Sequence, residues 1–194
     1  MRLRIEVADL GLPALDALHV DALAIFVGAE RPLRGLAGWA DWRLCGALSR
    51  AIRGGIFHSE TGEALLLPSA GRLPPPRIFC LGLQPDAASP EAFAALARRA
   101  CGVLARAGCR AFATALPPLQ GEAEGTGPRL WLEASLQTPE LGQVLLGDAR
   151  ALQRALAEAG RALGADVEIA APSARVEMPA RGAASLPPRS AMVR

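Results

Sequence analysis

The chain has 194 residues, 51% hydrophobic and 21% charged, enough apolar content for a folded core and too much for wholesale disorder. The formal net charge is +2 with acids and bases interspersed, which gives no electrostatic footprint for nucleic acid. All 21 basic side chains are Arg, and Lys, Asn and Tyr are absent, which excludes Schiff-base, P-loop and kinase-type lysine chemistry and N-glycosylation within these residues.

No stretch approaches the ~18 uninterrupted apolar residues of a membrane span. The N-terminus, MRLRIEVADLGLP, alternates apolar and polar residues and leads into no apolar block, so it reads as a strand and not as a signal peptide. Cys45, Cys80, Cys101 and Cys109 form neither a CxxC pair nor a disulfide framework. Reduced thiols in a cytoplasm are therefore expected, with no membrane or nucleic-acid partner.

The first strand is expected at about Leu3–Val7, with Leu3, Ile5 and Val7 on one face and Arg4 and Glu6 on the other. Val20–Val27, VDALAIFV, is nearly all apolar and suits a strand buried on both faces. Leu36, Ala40, Leu44, Leu48 and Ile52 repeat every fourth residue, which predicts one helix over Leu36–Arg53, closed by Gly54-Gly55. Strands at Ala64–Leu67 and Arg77–Leu83 flank the loop PSAGRLPPP, whose prolines forbid helix. Pro90–Ala107 is a helix with Ser89 as N-cap and Pro90 in its first position. Arg110–Leu116 is a strand, Gln120–Pro128 a polar loop, Leu130–Leu136 either helix or strand, and Gln143–Leu146 a strand. Asp148–Leu163 is a helix capped by Asp148 and ended by Gly164, and Val167–Ala170 is a last strand. This alternation implies an α/β domain over residues 1–170, with a mostly parallel or mixed sheet flanked by helices. Residues 171–194 are rich in Pro, Ala and Arg without period, which predicts a disordered or draped tail.

Five segments in order carry a family pattern: VDALAIFV, a helix ending LSRAIRGG, IFHSETGEALLLP, RIFCLGL, and AFATALP. Together they resemble the N-terminal domain of the M17 leucyl aminopeptidases. That family has a strand like "VDALAVFV", a segment like "F-x-GK-x-GE" leading into a strand that ends in Pro, and a strand ending "GLG". Phe57, Gly62, Glu63, Pro68, Gly82 and Leu83 stand at the matching positions, while Ser59-Glu60 replace the Gly-Lys and Gln84 replaces the last Gly. The resemblance implies a three-layer, macro-domain-like fold. It also implies that the two-metal peptidase chemistry belongs to a separate C-terminal domain, in motifs such as "NTDAEGR" and "GKG-x-TFD-x-GG". Neither motif is present in this chain, which has no Asn and no Lys and is expected to stop where that domain would begin. A stand-alone, non-catalytic domain that works through protein contacts, by self-assembly or by docking on a partner, is the expectation, with no metal and no cofactor.

Other chemistry is weaker. His19 and His58 are the only histidines, and adjacency of His58 and Ser59 in sequence does not bring their side chains together. Glu122 and Glu124 lie in a Gly-rich loop, where a paired-carboxylate mechanism lacks rigid placement. Trp39, Trp42 and Trp131 suit either core packing or an oligomer contact, Trp39 and Trp42 projecting from one side of a helix. The alternative function is a small-ligand module for a nucleotide or ADP-ribose. Gly28 and Gly82 lie at the carboxyl ends of strands, where ligands of α/β sheets bind, and Arg31 suits a phosphate. The segment GAERPLRG nonetheless lacks the Asn-rich and Gly-rich runs that ADP-ribose-binding macro domains share.

Overall fold

The structure, a computed structural model, describes residues 2–60, 62–83, 89–117 and 125–170. The tail assigned to 171–194, Glu122 and Glu124 lie outside the described residues. In chain order the elements are β1 (Leu3–Asp9), α1 (Leu12–Asp16), β2 (Ala22–Val27), α2 (Gly35–Arg43), α3 (Ala47–Arg53), β3 (Ala64–Pro68) and β4 (Arg77–Gly82). They continue with α4 (Pro90–Arg106), β5 (Ala111–Thr114), α5 (Gly127–Ser135), β6 (Gly142–Gly147), α6 (Ala149–Leu163) and β7 (Val167–Ala170). The seven strands form one sheet in the order β3-β4-β2-β5-β6-β1-β7. Every neighbouring pair is parallel except β3 with β4.

The alternation of each strand sorts its side chains onto two helical layers. Ala22 and Ala24 of β2 and Phe79 and Leu81 of β4 join Phe93 and Leu104 of α4, Trp131 of α5 and Leu156 of α6. Leu23, Ile25 and Val27, with Ile78 and Cys80, join Leu15 of α1, Leu36 and Ala40 of α2 and Leu48 of α3. The apolar run of β2 is thus buried on both faces, as its composition demands, in a three-layer α/β/α arrangement. The caps expected at Ser89 and Asp148 form: each side chain accepts from the backbone N–H three residues on, Ala92 at 3.2 Å and Ala151 at 2.9 Å. Leu130–Leu136 lies mostly in helix α5.

The single helix expected over Leu36–Arg53 is two. It breaks at Cys45 and Gly46, both at positive φ, 54° and 78°. Asp41 supports the break: its carboxylate accepts from Ser49 N–H at 3.1 Å and lies 2.5 Å from Ser49 Oγ, so it caps α3 from the preceding helix. A four-residue apolar repeat survives such a break, because the stripe on each helix still faces the sheet. The short helix α1, opened by Pro13 in its first turn, was not among the expected elements.

Under α5 the core is polar at one point. Trp131 Nε1–H donates to Gln143 Oε1 at 2.8 Å, and Ser135 Oγ lies 3.2 Å from the same oxygen. The indole packs edge-on against Phe26, 6.1 Å between centroids, and tilted against Phe112 at 6.4 Å. Replacing Trp131 by Phe removes the donor and the five-membered ring of the indole, which leaves an unpaired acceptor and a cavity and is expected to cost about 2–4 kcal/mol. Trp39→Phe, at an exposed site, is expected to stay within about 0.5 kcal/mol. Urea unfolding followed by circular dichroism separates the two. Equal midpoints for both variants would contradict this account of the buried network.

Candidate functional site

In this sheet the helices after β2 and β5 go to opposite faces, and so do those after β1 and β6, which opens a crevice at each carboxyl end. The second crevice is closed by its own backbone. Leu10 N–H donates to Gly147 C=O at 2.9 Å, and Asp9 Oδ1 accepts from Ala149 N–H, also at 2.9 Å, at the start of α6.

Gly28, Arg31 and Gly82 come together at the end of β2 and β4. Val27 and Gly82 are register partners, and Leu83 N–H donates to Val27 C=O at 2.9 Å. Residues Phe57–Glu60 lie across this end. A Cβ on Gly82 would stand 1.9 Å from Glu60 C=O, so only glycine admits the loop. On Gly28 a Cβ would meet Leu83 C=O at 3.4 Å, ordinary contact.

The chain itself uses the groups that a phosphate would need. Arg31 Nη1 donates to Gly28 C=O at 2.8 Å and to Glu30 C=O at 2.7 Å, and Nη2 reaches Ser59 Oγ at 3.4 Å. Ser59 is buried at φ 65°. Glu63 Oε2 accepts from His58 N–H at 2.8 Å and Glu60 N–H at 3.3 Å, which closes the turn. Partial desolvation works against its charge, but these N–H donors and the neighbouring His58 outweigh it and hold the Glu63 carboxyl below the usual carboxylate range. Arg99 of α4 fastens the loop from the far side by donating to Gly62 C=O.

The histidines do not join a nucleophile. His58 is exposed beside Glu63, Nδ1 to Oε1 3.5 Å, while Ser59 is buried with its hydroxyl toward Arg31. His19 lies instead at a groove of about 300 Å³ on the sheet face beside α1, with Arg4, Glu6, Leu18 and Val144. Among the described residues no three His, Cys, Asp or Glu side chains gather to hold a metal ion.

Cys80 is buried in β4, and burial pushes its thiol up to about 12. Burial likewise raises Cys101 to about 11, and raises Cys109 against the opposing charge of Arg77. Cys45 is exposed, with Arg72 Nη1 2.9 Å from its sulfur.

Of the two alternatives for Trp39 and Trp42, core packing or an oligomer contact, core packing does not hold. Leu36, Ala37 and Ala40 take the buried face of α2, which leaves Trp39 40% and Trp42 62% exposed. Trp131 alone of the three is core. Sequence reading missed the grip of Glu60 on Gly82 and the latch at Glu63; the only signal was Glu63 spaced three residues from Glu60 in a turn-rich stretch.

A family model described as the cytosol aminopeptidase family, N-terminal domain, matches residues 24–132. No curated protein sequence matches the chain. Among solved structures, a mutant leucine aminopeptidase from tomato is similar at TM-score 0.58 and 19% identity, over 84% of this chain and 36% of that one. This chain thus spans about a third of that protein's length. The macrodomain of Oceanobacillus iheyensis, solved with ADP, is similar at TM-score 0.60 and 16% identity, over 82% and 90% of the two chains. The macrodomain of Mycobacterium tuberculosis DarG is similar at TM-score 0.55 and 16% identity, over 74% and 97%. At these identities the likeness is one of fold, a macro-domain-like one.

Two expectations follow. Gly82→Ala should destabilise the protein by about 3 kcal/mol or more, since backbone must move, and Gly28→Ala by less than about 1.5 kcal/mol; chemical denaturation ranks them, and equal losses would refute the loop's grip on Gly82. At neutral pH an aromatic disulfide reagent should react promptly with Cys45 alone of the four cysteines and with all four after unfolding. Prompt labelling of Cys80 in the native protein would contradict its burial.

Proposed function

The chain belongs to the cytosol aminopeptidase N-terminal-domain family, and from that premise we propose that it is a non-catalytic cytoplasmic protein that works through protein contacts, by self-association or by docking on a partner. The observation that carries this reading is the outward face of α2. Its solvent side carries Gly35, Gly38, Trp39 and Trp42, flanked by the partly exposed Asp41, which caps α3, and Arg43. The adjacent Arg43 is already engaged, 5.3 Å over the Trp42 ring and paired with Asp16. On the order of 250 Å² of indole surface stays in water, worth roughly 6 kcal/mol if a partner covered it, before the cost of association. Trp is also the residue type most concentrated at binding hot spots.

The non-catalytic part rests on composition. The family resemblance puts peptidase chemistry in motifs that need Lys and Asn, and these 194 residues contain neither. A leucine anilide assay with added Mn²⁺ or Zn²⁺ should show no turnover, and turnover abolished by a chelator would overturn this part.

Replacing Trp39 and Trp42 by Ala together should leave the fold within about 1 kcal/mol of its stability, as expected for exposed positions. The same change should weaken binding of a captured partner by tenfold or more. Sedimentation velocity and titration read both. A strictly monomeric protein that engages no partner, with or without the tryptophans, would count against the reading.

One observation favours a second reading, a small-ligand module: the fold shared with a macrodomain solved with ADP. Calorimetry with ADP-ribose and related nucleotides decides it, with Arg31→Ala as the control. Silence across the panel at millimolar concentration removes it.

A further inference from the structure

The two edges of the sheet are built differently. At one edge β7 carries Glu168 and follows Asp166, and Arg2 lies 3.7 Å from the first carboxylate and 3.3 Å from the second. Charges of this kind are the ordinary protection of an edge strand against pairing with another chain. At the other edge β3 reads ALLLP, and no charged residue occurs from Ala64 to Gly71.

The hydrogen bonds to β4 show which backbone groups of β3 remain. Gly82 N–H donates to Glu63 C=O at 3.0 Å, and Ser69 N–H donates to Pro76 C=O, also at 3.0 Å. Odd-numbered residues therefore face β4, because both polar groups of a residue in an antiparallel strand point the same way. Ala64, Leu66 and Pro68 point theirs outward. Pro68 sits where a missing N–H costs no bond to β4, the position that sheets allow to proline. Ala64 and Leu66 each present an N–H and a C=O to solvent, and the Leu66 side chain is 55% exposed.

We infer that β3 pairs antiparallel with β3 of a second copy, across a twofold axis at Leu65, and continues the sheet from one subunit into the other. In this register Ala64 N–H meets Leu66 C=O of the second copy, and Leu66 N–H meets Ala64 C=O of the second copy. Symmetry repeats both, giving four hydrogen bonds, and every outward N–H of Ala64 and Leu66 finds an acceptor. The exposed Leu66 stands beside the small Ala64 of the second copy. Twofold pairing sets any charge near the axis close to its own copy, and an uncharged strand escapes that repulsion. A foreign peptide would gain nothing from this absence, so the edge fits its own copy best. The proposal rests on the self-association arm of the reading above and assigns it to β3, which leaves the α2 face for a different contact.

Sedimentation velocity of the full chain, from low micromolar to millimolar concentration, tests it. The wild type is expected to form a concentration-dependent dimer. Leu66→Lys puts two ammonium groups near the axis, and Leu66→Pro removes an outward N–H while sparing the bonds of Leu65 and Leu67 to β4. Each is expected to weaken the dimer by a factor on the order of ten or more, with circular dichroism unchanged. The Trp39→Ala/Trp42→Ala protein is expected to dimerise as the wild type does. If Leu66→Pro does not fold, Leu66→Lys and amide exchange carry the test: the Ala64 and Leu66 amides should slow as concentration rises. A dimer that survives Leu66→Lys, or exchange indifferent to concentration, overturns the pairing. A dimer lost only with the tryptophans also overturns it, while supporting the reading from which it started. A wild type monomeric at every concentration overturns it too, leaving docking on a different protein as the open arm of that reading.

Discussion

One contact governs the carboxyl end of the sheet: the Glu60 carbonyl lying where a side chain of residue 82 would be. Because residue 82 is glycine, the stretch from Phe57 to Glu60 can cross the tip of β4. Phe57 anchors it in the core, Ser59 takes a left-handed backbone, and Glu63 ties the turn. The same crossing delivers the chain into β3 one register step from Gly82, which decides which of β3's backbone groups face β4 and which face water. It also brings Ser59 Oγ within 3.4 Å of Arg31 Nη2, beside the local bonds that Arg31 Nη1 makes to the Gly28 and Glu30 carbonyls. Closure of this end and exposure of the β3 edge are two results of one steric allowance.

Much of the fold was legible in the residues, for reasons that can be named. The run of β2 had to be buried twice, and Ser89 and Asp148 had to cap, because apolar burial and orphan N–H groups act locally. The family resemblance supplied the layer order that local patterns do not carry. The break between α2 and α3 was hidden because Asp41 caps α3 through space, eight residues before Ser49, and the apolar stripe runs on through it. Trp39 and Trp42 were placed on one side of a helix correctly, but which side faces the sheet depended on Leu36 and Ala40 winning the buried face. At the candidate site, Gly28, Arg31 and Gly82 were found as neighbours. That Arg31 also meets Ser59, and that the Glu60 carbonyl covers Gly82, depended on a loop about twenty to thirty residues away, which no short-range pattern reveals.

In the tomato enzyme a domain of this shape makes up about a third of a longer chain. Here the chain has a strand end crossed by its own backbone, two exposed tryptophans on α2 and an uncharged edge strand at β3. The functional reading proposed above rests on these surfaces.

The position of β1 has a consequence for how the molecule comes into being. Among the described strands β1 comes earliest in sequence, yet it pairs with the two that come latest, β6 on one side and β7 on the other. During synthesis it has neither neighbour until β6 has emerged, so its apolar face of Leu3, Ile5 and Val7 waits without its partners. Such long-separation pairing slows folding and makes completion all-or-none. A ribosome that stalls before β6 leaves β3, β4, β2 and β5 able to pair and β1 without either of its neighbours.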